Sequence, residues 1–271
     1  MKTNWLSTLF ITLTEFSYRL KQTLWHWVYN KIARRDVSGK FVFMNYGYDN
    51  KTDTPLILKQ QDEPYRYFIQ LYNHVVKDID LKNKAIIEVG CGRGGGGNFL
   101  LQYKNPSSYI GIDLSEAAII WCKNQFKFTN SQWMQGSADA LPTPNNSVDI
   151  VINVESSHCY PSMEKFLQEV KRVLKPNGYM AFCDLRSASE IAKLESHIAA
   201  SGLVVINQSE ITSQVLQALD KVSSTREAEI MSVFPTLFHR AVRDFAGVKD
   251  TAVYNMLKAG EMKYLCYLLQ K

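Results

Sequence analysis

The sequence predicts an α/β fold, a doubly wound and mostly parallel sheet with helices on both of its faces. Three observations predict it. Between residues 84 and 184, short apolar runs alternate with stretches of helical spacing, the pattern of successive strand–helix units. The first run is followed at once by a glycine-rich loop and then by an apolar helical stretch. The 271 residues, 46% hydrophobic and 21% charged, can bury one large core.

The pivotal stretch is residues 84–97. Ala85 to Val89 reads as a buried strand carrying Glu88 near its end, and Gly90, Gly92 and Gly94 form the loop. Residue 98 onward opens the helix. Strand, glycine loop and helix cradle a nucleotide, because glycine permits the turn and the helix N-terminus presents free N–H groups to an anion. The second strand, 108–113, ends in Asp113. Ser115 then caps a helix over 115–124. Strands over 131–135 and 148–154 follow. A helix over 164–174 is closed by Lys175-Pro176-Asn177-Gly178, and a fifth strand spans 179–184. Before the core, an amphipathic helix covers 65–76, with Pro64 in its first turn. Beyond it, helices are expected over 189–201, 212–218 and 226–245, with strands at 204–207 and 262–269. Helices inserted after the fifth strand would cover the carboxyl ends of the strands, where such sheets bind ligands. The chain therefore divides into residues 1–60, an N-terminal helix and aromatic lid segment; 61–186, the nucleotide-binding core; and 187–271, a helical cap with strands completing the same domain.

Thirty-one Lys and Arg stand against 26 Asp and Glu, a formal charge of +5. Residues 1–40 hold seven bases and two acids, which accounts for the whole excess. The balanced remainder argues against nucleic acid as a partner. Residues 1–36 repeat apolar side chains at helical spacing, with Trp25 and Trp27 beside the basic cluster. That pattern fits a helix packed on its own domain, or a helix lying in a membrane interface as peripheral contact. Five scattered cysteines without a CxxC pair suggest neither a disulfide framework nor a metal site, so a cytoplasmic setting is the expectation. No apolar run spans a bilayer and no signal peptide is evident. The sequence sets no oligomeric state.

The nucleotide is a dinucleotide or S-adenosylmethionine, since both place an acid on ribose hydroxyls at the end of the second strand. Asp113 fits that role and also that of a helix cap. The flanks discriminate. Glu88-Val89-Gly90-Cys91-Gly92-Arg93-Gly94, residues 140–152 and residues 172–179 resemble, in order, the three blocks of class I S-adenosylmethionine-dependent methyltransferases. A nicotinamide dehydrogenase lacks those flanks. Residues 41–48, 62–64, 106–114, 153–161, 184–186, 245–248 and 260–264 further resemble the phthiotriol/phenolphthiotriol dimycocerosates methyltransferase family, over about residues 40–271. The resemblance implies a Rossmann-like, seven-stranded sheet. It implies S-adenosyl-L-methionine as cofactor and S-adenosyl-L-homocysteine as product. The implied reaction is O-methylation of a hydroxyl on a hydrophobic lipid or polyketide-derived acceptor. A sterol-, quinone- or glycoside-like acceptor, or a cofactor-binding protein without turnover, stands as the alternative.

Cofactor contacts carried over by the resemblance are Tyr46, Glu88, Gly90, Cys91, Gly92, Arg93, Gly94, Asp113, Leu114, Ser137, Ala138, Asp139, Asn153 and Glu155. The glycine amides and Glu88 are expected at the methionine end, Arg93 at its carboxylate and Leu114 against the adenine. Where similar proteins carry an acid, this chain has Ser137, which leaves Ser137 and Asp139 as alternative adenine contacts. Tyr46 and Tyr48 either close over the cofactor or pack in the core. The chemistry is expected after the fourth strand. There His158 is a candidate general base, with Glu155 or Asp184 orienting it, or else a structural loop histidine.

Overall fold

The computed structural model describes residues 41–271. The interfacial or packed helix expected over 1–36, and most of the N-terminal 1–60 unit, lie outside the described residues. Seven strands form one sheet in the order β3-β2-β1-β4-β5-β7-β6. They are β1 (Ala85–Val89), β2 (Ser108–Asp113), β3 (Ser131–Gln135), β4 (Val148–Val154), β5 (Leu174–Ser187), β6 (Val204–Glu210) and β7 (Met262–Gln270). The first five run parallel, and β7 pairs antiparallel with both β5 and β6. The crossovers are α1 (Arg66–Val75) before β1, α2 (Gly95–Tyr103), α3 (Glu116–Gln125), α4 (Met163–Val173) and α5 (Ile191–Ser201). Strand alternation sends Ile86, Ile150, Ile152 and Ala181 into one apolar layer and Ile87, Val151, Met180 and Phe182 into the other. Order reverses between β1 and β4, so their carboxyl ends open the crevice where this architecture takes a ligand.

Three helices, α6 (Thr212–Val233), α7 (Thr236–Phe245) and α8 (Ala252–Ala259), lie between β6 and β7. Residues 41–50 run beneath them as an extended roof. Tyr48 N–H bonds Tyr67 O at 2.9 Å and Asp49 N–H bonds Gln214 O at 3.1 Å. The buried Arg226 of α6 donates to Phe43 O at 3.3 Å and lies 4.5 Å from the Phe68 ring. No helix among the described residues is long and apolar enough to cross a membrane.

Three boundaries and one cysteine pairing differ from expectation. Helix α2 starts at Gly95 rather than 98. A glycine run is a poor helix former, but packing decides here: a methyl on Gly96 would overlap the Tyr72 ring. Residues 175–178 do not merely close a helix, because β5 begins at Leu174, pairing with Val148, and its register slips before Tyr179 meets Ile150. The two helices expected over 212–218 and 226–245 break instead at Pro235, with Phe234 held extended before it. Finally, Cys183 and Cys266 form a disulfide, contrary to the cysteine reading. They are register partners on β5 and β7 with Cα atoms 4.2 Å apart, and the 83 residues between them hid the pairing.

Candidate active site

A cavity opens at the carboxyl ends of β1, β2 and β4, beneath the roof. Counted to its open mouth it holds about 1360 Å³ between protein atoms. Tyr46, Gly90, Cys91, Gly92, Arg93, Asp113, Leu114, Ser137, Ala138, Glu155 and His158 all line it. Residues spread over 113 positions of sequence thus converge, because each sits at the end of a parallel strand or on the roof above it.

The floor is backbone. Gly90 takes φ 76°, and a side chain there would also overlap Ser156 Oγ and Tyr160 Oη. Asp113 accepts from Gly92 N–H and Ser115 N–H, each at 2.8 Å. The carboxylate thus ties the glycine loop to the start of α3 and lines the cavity. Ser115 Oγ itself caps α3, accepting from Ala118 N–H at 3.3 Å. Arg93 is 1% exposed and stacks 3.9 Å above the Trp121 ring at the cavity wall. Exposed glycine backbone, a ribose-matching acid and a carboxylate-matching guanidinium suit S-adenosylmethionine in their chemistry.

Several expected contacts sit elsewhere. Glu88 does not line the cavity: it is fully buried below the loop, accepting from Tyr72 Oη at 2.7 Å and Tyr109 Oη at 2.5 Å. Burial pushes its carboxyl up to about 7, against the pull of those two donors. Gly94 caps α2 in the left-handed region behind the loop. Asp139 turns to the Ser137 hydroxyl, leaving Ser137 on the cavity wall. Asn153 is fully buried and donates to Val89 O, Ser156 Oγ and Tyr160 Oη, each 2.8 Å away, so it braces the wall rather than forming it. Tyr48 is absent from the lining and stacks on His74, ring centroids 4.2 Å apart.

The acid–base cluster lies across the cavity from the glycine floor's outer end. His158, in the 3-10 turn Ser157–Cys159, has Nδ1 2.7 Å from Asp184 Oδ1, and its N–H bonds Asp184 Oδ2 at 2.9 Å. Ser157 Oγ donates to that same Oδ2 at 2.5 Å, and Arg186 Nη1 lies 3.0 Å from it. Burial opposes charge on Asp184, but the His158 and Arg186 cations and the donated hydrogen bonds hold it well below the usual carboxylate range. Burial likewise opposes the imidazolium, yet Cys159 and Asp184 hold His158 well above the ordinary histidine value. Nδ1 is tied to Asp184, and the ring also lies within hydrogen-bonding reach of the Cys159 side chain.

Glu155 is separate from that pair. It takes φ 45° just past β4. Its Oε1 accepts from Tyr46 N–H at 2.6 Å and from the Tyr264 hydroxyl. Orientation of His158 therefore falls to Asp184, not to Glu155. Sequence reasoning missed Ser156, Tyr160, Tyr264, Arg186 and Phe245. The first two flank His158 and were within reach of a reading that weighed the whole turn. Tyr264 meets Glu155 across 109 residues, and nothing local signals it.

A glycine loop at the switch point of a seven-stranded, mostly parallel sheet is the architecture of an S-adenosylmethionine-dependent methyltransferase of class I fold. A methyltransferase-domain family model matches residues 87–182. The phthiotriol/phenolphthiotriol dimycocerosates methyltransferase of Mycobacterium tuberculosis is 36% identical over 248 residues, 92% of each chain. The chain belongs to that family. A fatty-acid O-methyltransferase of Mycolicibacterium smegmatis is 34% identical, covering 90% of this chain and 88% of its own. Among solved structures, the [4+2]-cyclase SpnF matches with a TM-score of 0.68 at 18% identity, over 93% of this chain and 96% of its own. The cyclopropane synthase MmaA2 from Mycobacterium tuberculosis matches with a TM-score of 0.66 at 10% identity, over 86% and 94%. At these identities the likeness is one of fold.

Proposed function

We propose that the protein O-methylates a hydroxyl group of a long apolar lipid or polyketide-derived acceptor, with His158 as general base. The observation that carries this reading is the His158 Nδ1–Asp184 pair, 2.7 Å apart, at the wall of a cavity whose remaining lining is largely apolar. Two relatives are methyltransferases named for lipid substrates, which supports an acceptor of that class. Bound on the glycine floor, S-adenosylmethionine supplies an electrophilic methyl group. The chain's own residues supply the rest. Met44, Pro161, Leu185 and Phe245 line the cavity and take apolar chain out of water. They also keep the attacking oxygen from hydration. His158 Nε2 takes the hydroxyl proton as the oxygen–carbon bond forms, which an alcohol of high pKa requires. Asp184 fixes the ring's orientation and stabilises the imidazolium that results.

Incubation with methyl-labelled S-adenosylmethionine and a total lipid extract tests the reading. Label in an apolar product, released on ether cleavage, is expected; label confined to small polar products would sink it. His158→Ala should lower kcat about 10²–10⁴-fold while cofactor affinity stays within about twofold. An undiminished rate would reduce His158 to a structural residue. Because the base acts only when neutral, and its environment favours the cation, kcat/KM should rise with pH through a midpoint above the ordinary histidine range.

A further inference from the structure

Glu155 is a carboxyl that the base cluster does not use. Both of its recorded hydrogen bonds, from Tyr46 N–H and the Tyr264 hydroxyl, fall on Oε1. Oε2 has no hydrogen-bond partner among the described residues, and the side chain lines the cavity. The backbone around it is held at φ 45°, a conformation that a non-glycine residue keeps only where its surroundings enforce it. We propose that Glu155 is the residue through which this site distinguishes the sulfonium of S-adenosylmethionine from the neutral thioether of S-adenosylhomocysteine, its carboxylate being the counter-charge that only the sulfonium requires.

The surroundings favour such a switch. Burial is the largest influence and pushes the carboxyl up to about 8; the Asp184 charge from β5 pushes the same way. The Tyr264 hydroxyl from β7, the Tyr46 N–H from the roof and His158 from the 3-10 turn oppose it. Arg226 of α6 and Tyr72 of α1 also lie within its electrostatic reach. Near neutral pH the group is therefore protonated before the cofactor arrives. A positive charge entering the cavity favours the anion, so the carboxyl proton leaves to solvent. The ionised oxygen then holds Tyr46 and Tyr264 by stronger, charge-assisted bonds. Loss of the sulfonium charge on methyl transfer reverses this, loosens the roof and favours product release. The inference rests on S-adenosylmethionine dependence, and stands apart from the acceptor and from His158 as base.

Titration calorimetry of the full chain near pH 7, in buffers of differing ionisation enthalpy, counts protons released on binding each nucleoside. Wild type should release more with S-adenosylmethionine than with S-adenosylhomocysteine. Glu155→Gln keeps an acceptor oxygen but cannot ionise. It should release fewer protons with the sulfonium and cut the ratio of the two affinities about tenfold, mainly by weakening S-adenosylmethionine. Release that survives in the variant belongs to His158. A variant with the wild-type ratio and proton count overturns the role of Glu155 alone. Failure of wild type to bind either nucleoside overturns the cofactor assignment, and this inference with it. Should Glu155→Gln not fold, Tyr264→Phe removes a donor that favours the anion, and proton release should move to higher pH; an unmoved midpoint overturns the proposal.

Discussion

Two carboxyls stand close together at the carboxyl ends of β4 and β5 and differ in protonation, one pushed toward the anion and the other toward the neutral acid. Asp184 is fully buried, whereas Glu155 is half-buried at the cavity wall, so burial alone would favour the proton on Asp184 at least as strongly. Asp184 meets an imidazole, a guanidinium and the Ser157 hydroxyl, and is held ionised. Glu155 meets one amide and one phenol, both neutral donors, and its pKa is pushed up to about 8. The difference teaches that the number of cations within contact outweighs burial in deciding protonation. It also divides the labour: a permanent anion can orient a base, whereas a carboxyl near neutrality can respond to a ligand's charge.

The largest effect should come from erasing that difference. Asp184→Asn keeps the shape and removes the charge, turning an Nδ2 donor or a weaker acceptor toward His158, Ser157 and Arg186. Turnover should fall about 10²–10⁴-fold, since the imidazole loses both its orientation and its counter-charge. The pH–rate midpoint should move to lower pH, because the Asp184 charge helps hold the His158 pKa up. Cofactor affinity, set at the glycine floor, should change less than about threefold. A kcat within about threefold of wild type would remove Asp184 from the mechanism.

An intermediate effect tests the cation that keeps Asp184 charged. Arg186 Nη1 donates to Leu185 O at 2.6 Å and its Nη2 to Ser157 Oγ at 2.5 Å, so the guanidinium braces both Asp184 and the residue before His158. Arg186→Met should destabilise the fold by about 3–5 kcal/mol in urea melts, the cost of leaving a buried charge with one partner fewer. A loss below about 1 kcal/mol would mean that His158 alone suffices to keep Asp184 ionised.

The same contrast explains what was legible in the sequence. The glycine floor and Asp113 act through backbone geometry over about 25 consecutive residues, and local spacing encodes such geometry well. His158 and Asp184 were both visible as candidates, but their partnership depends on β4 and β5 lying side by side. Tyr46, Glu155 and Tyr264 come from the roof, the end of β4 and β7, and only the finished sheet and its cap bring them together. Glu88 misled for the converse reason. Its motif position matches a cofactor contact, while the Tyr72 and Tyr109 hydroxyls, one on α1 and one on β2, claim both of its oxygens. Helix α2 hid its true start because Gly95, Gly96 and Gly97 disfavour a helix until Phe43, Tyr72 and Tyr109 are packed against them.

Glu88 supplies the smallest effect and extends the comparison below the cavity floor. Like Glu155 it meets only neutral donors, here two tyrosine hydroxyls, and its pKa rises from 4.5 to about 7. The sign follows from proton binding. Below about pH 4.5 the folded and unfolded states both carry the proton. Between about 4.5 and about 7 the folded state binds it more tightly, so stability falls as pH rises through that window and levels off above it. Glu88→Gln keeps an acceptor for one tyrosine and cannot ionise. At pH 5 it should change stability by less than about 1 kcal/mol, since it replaces one neutral group by another. Across the window it should flatten the decline seen in wild type. Urea melts at pH 5, 6 and 7.5 measure both quantities. A variant that declines as steeply as wild type would mean that Glu88 is ionised in the folded protein throughout, and that two tyrosine hydroxyls can do for a buried carboxylate what His158 and Arg186 do for Asp184.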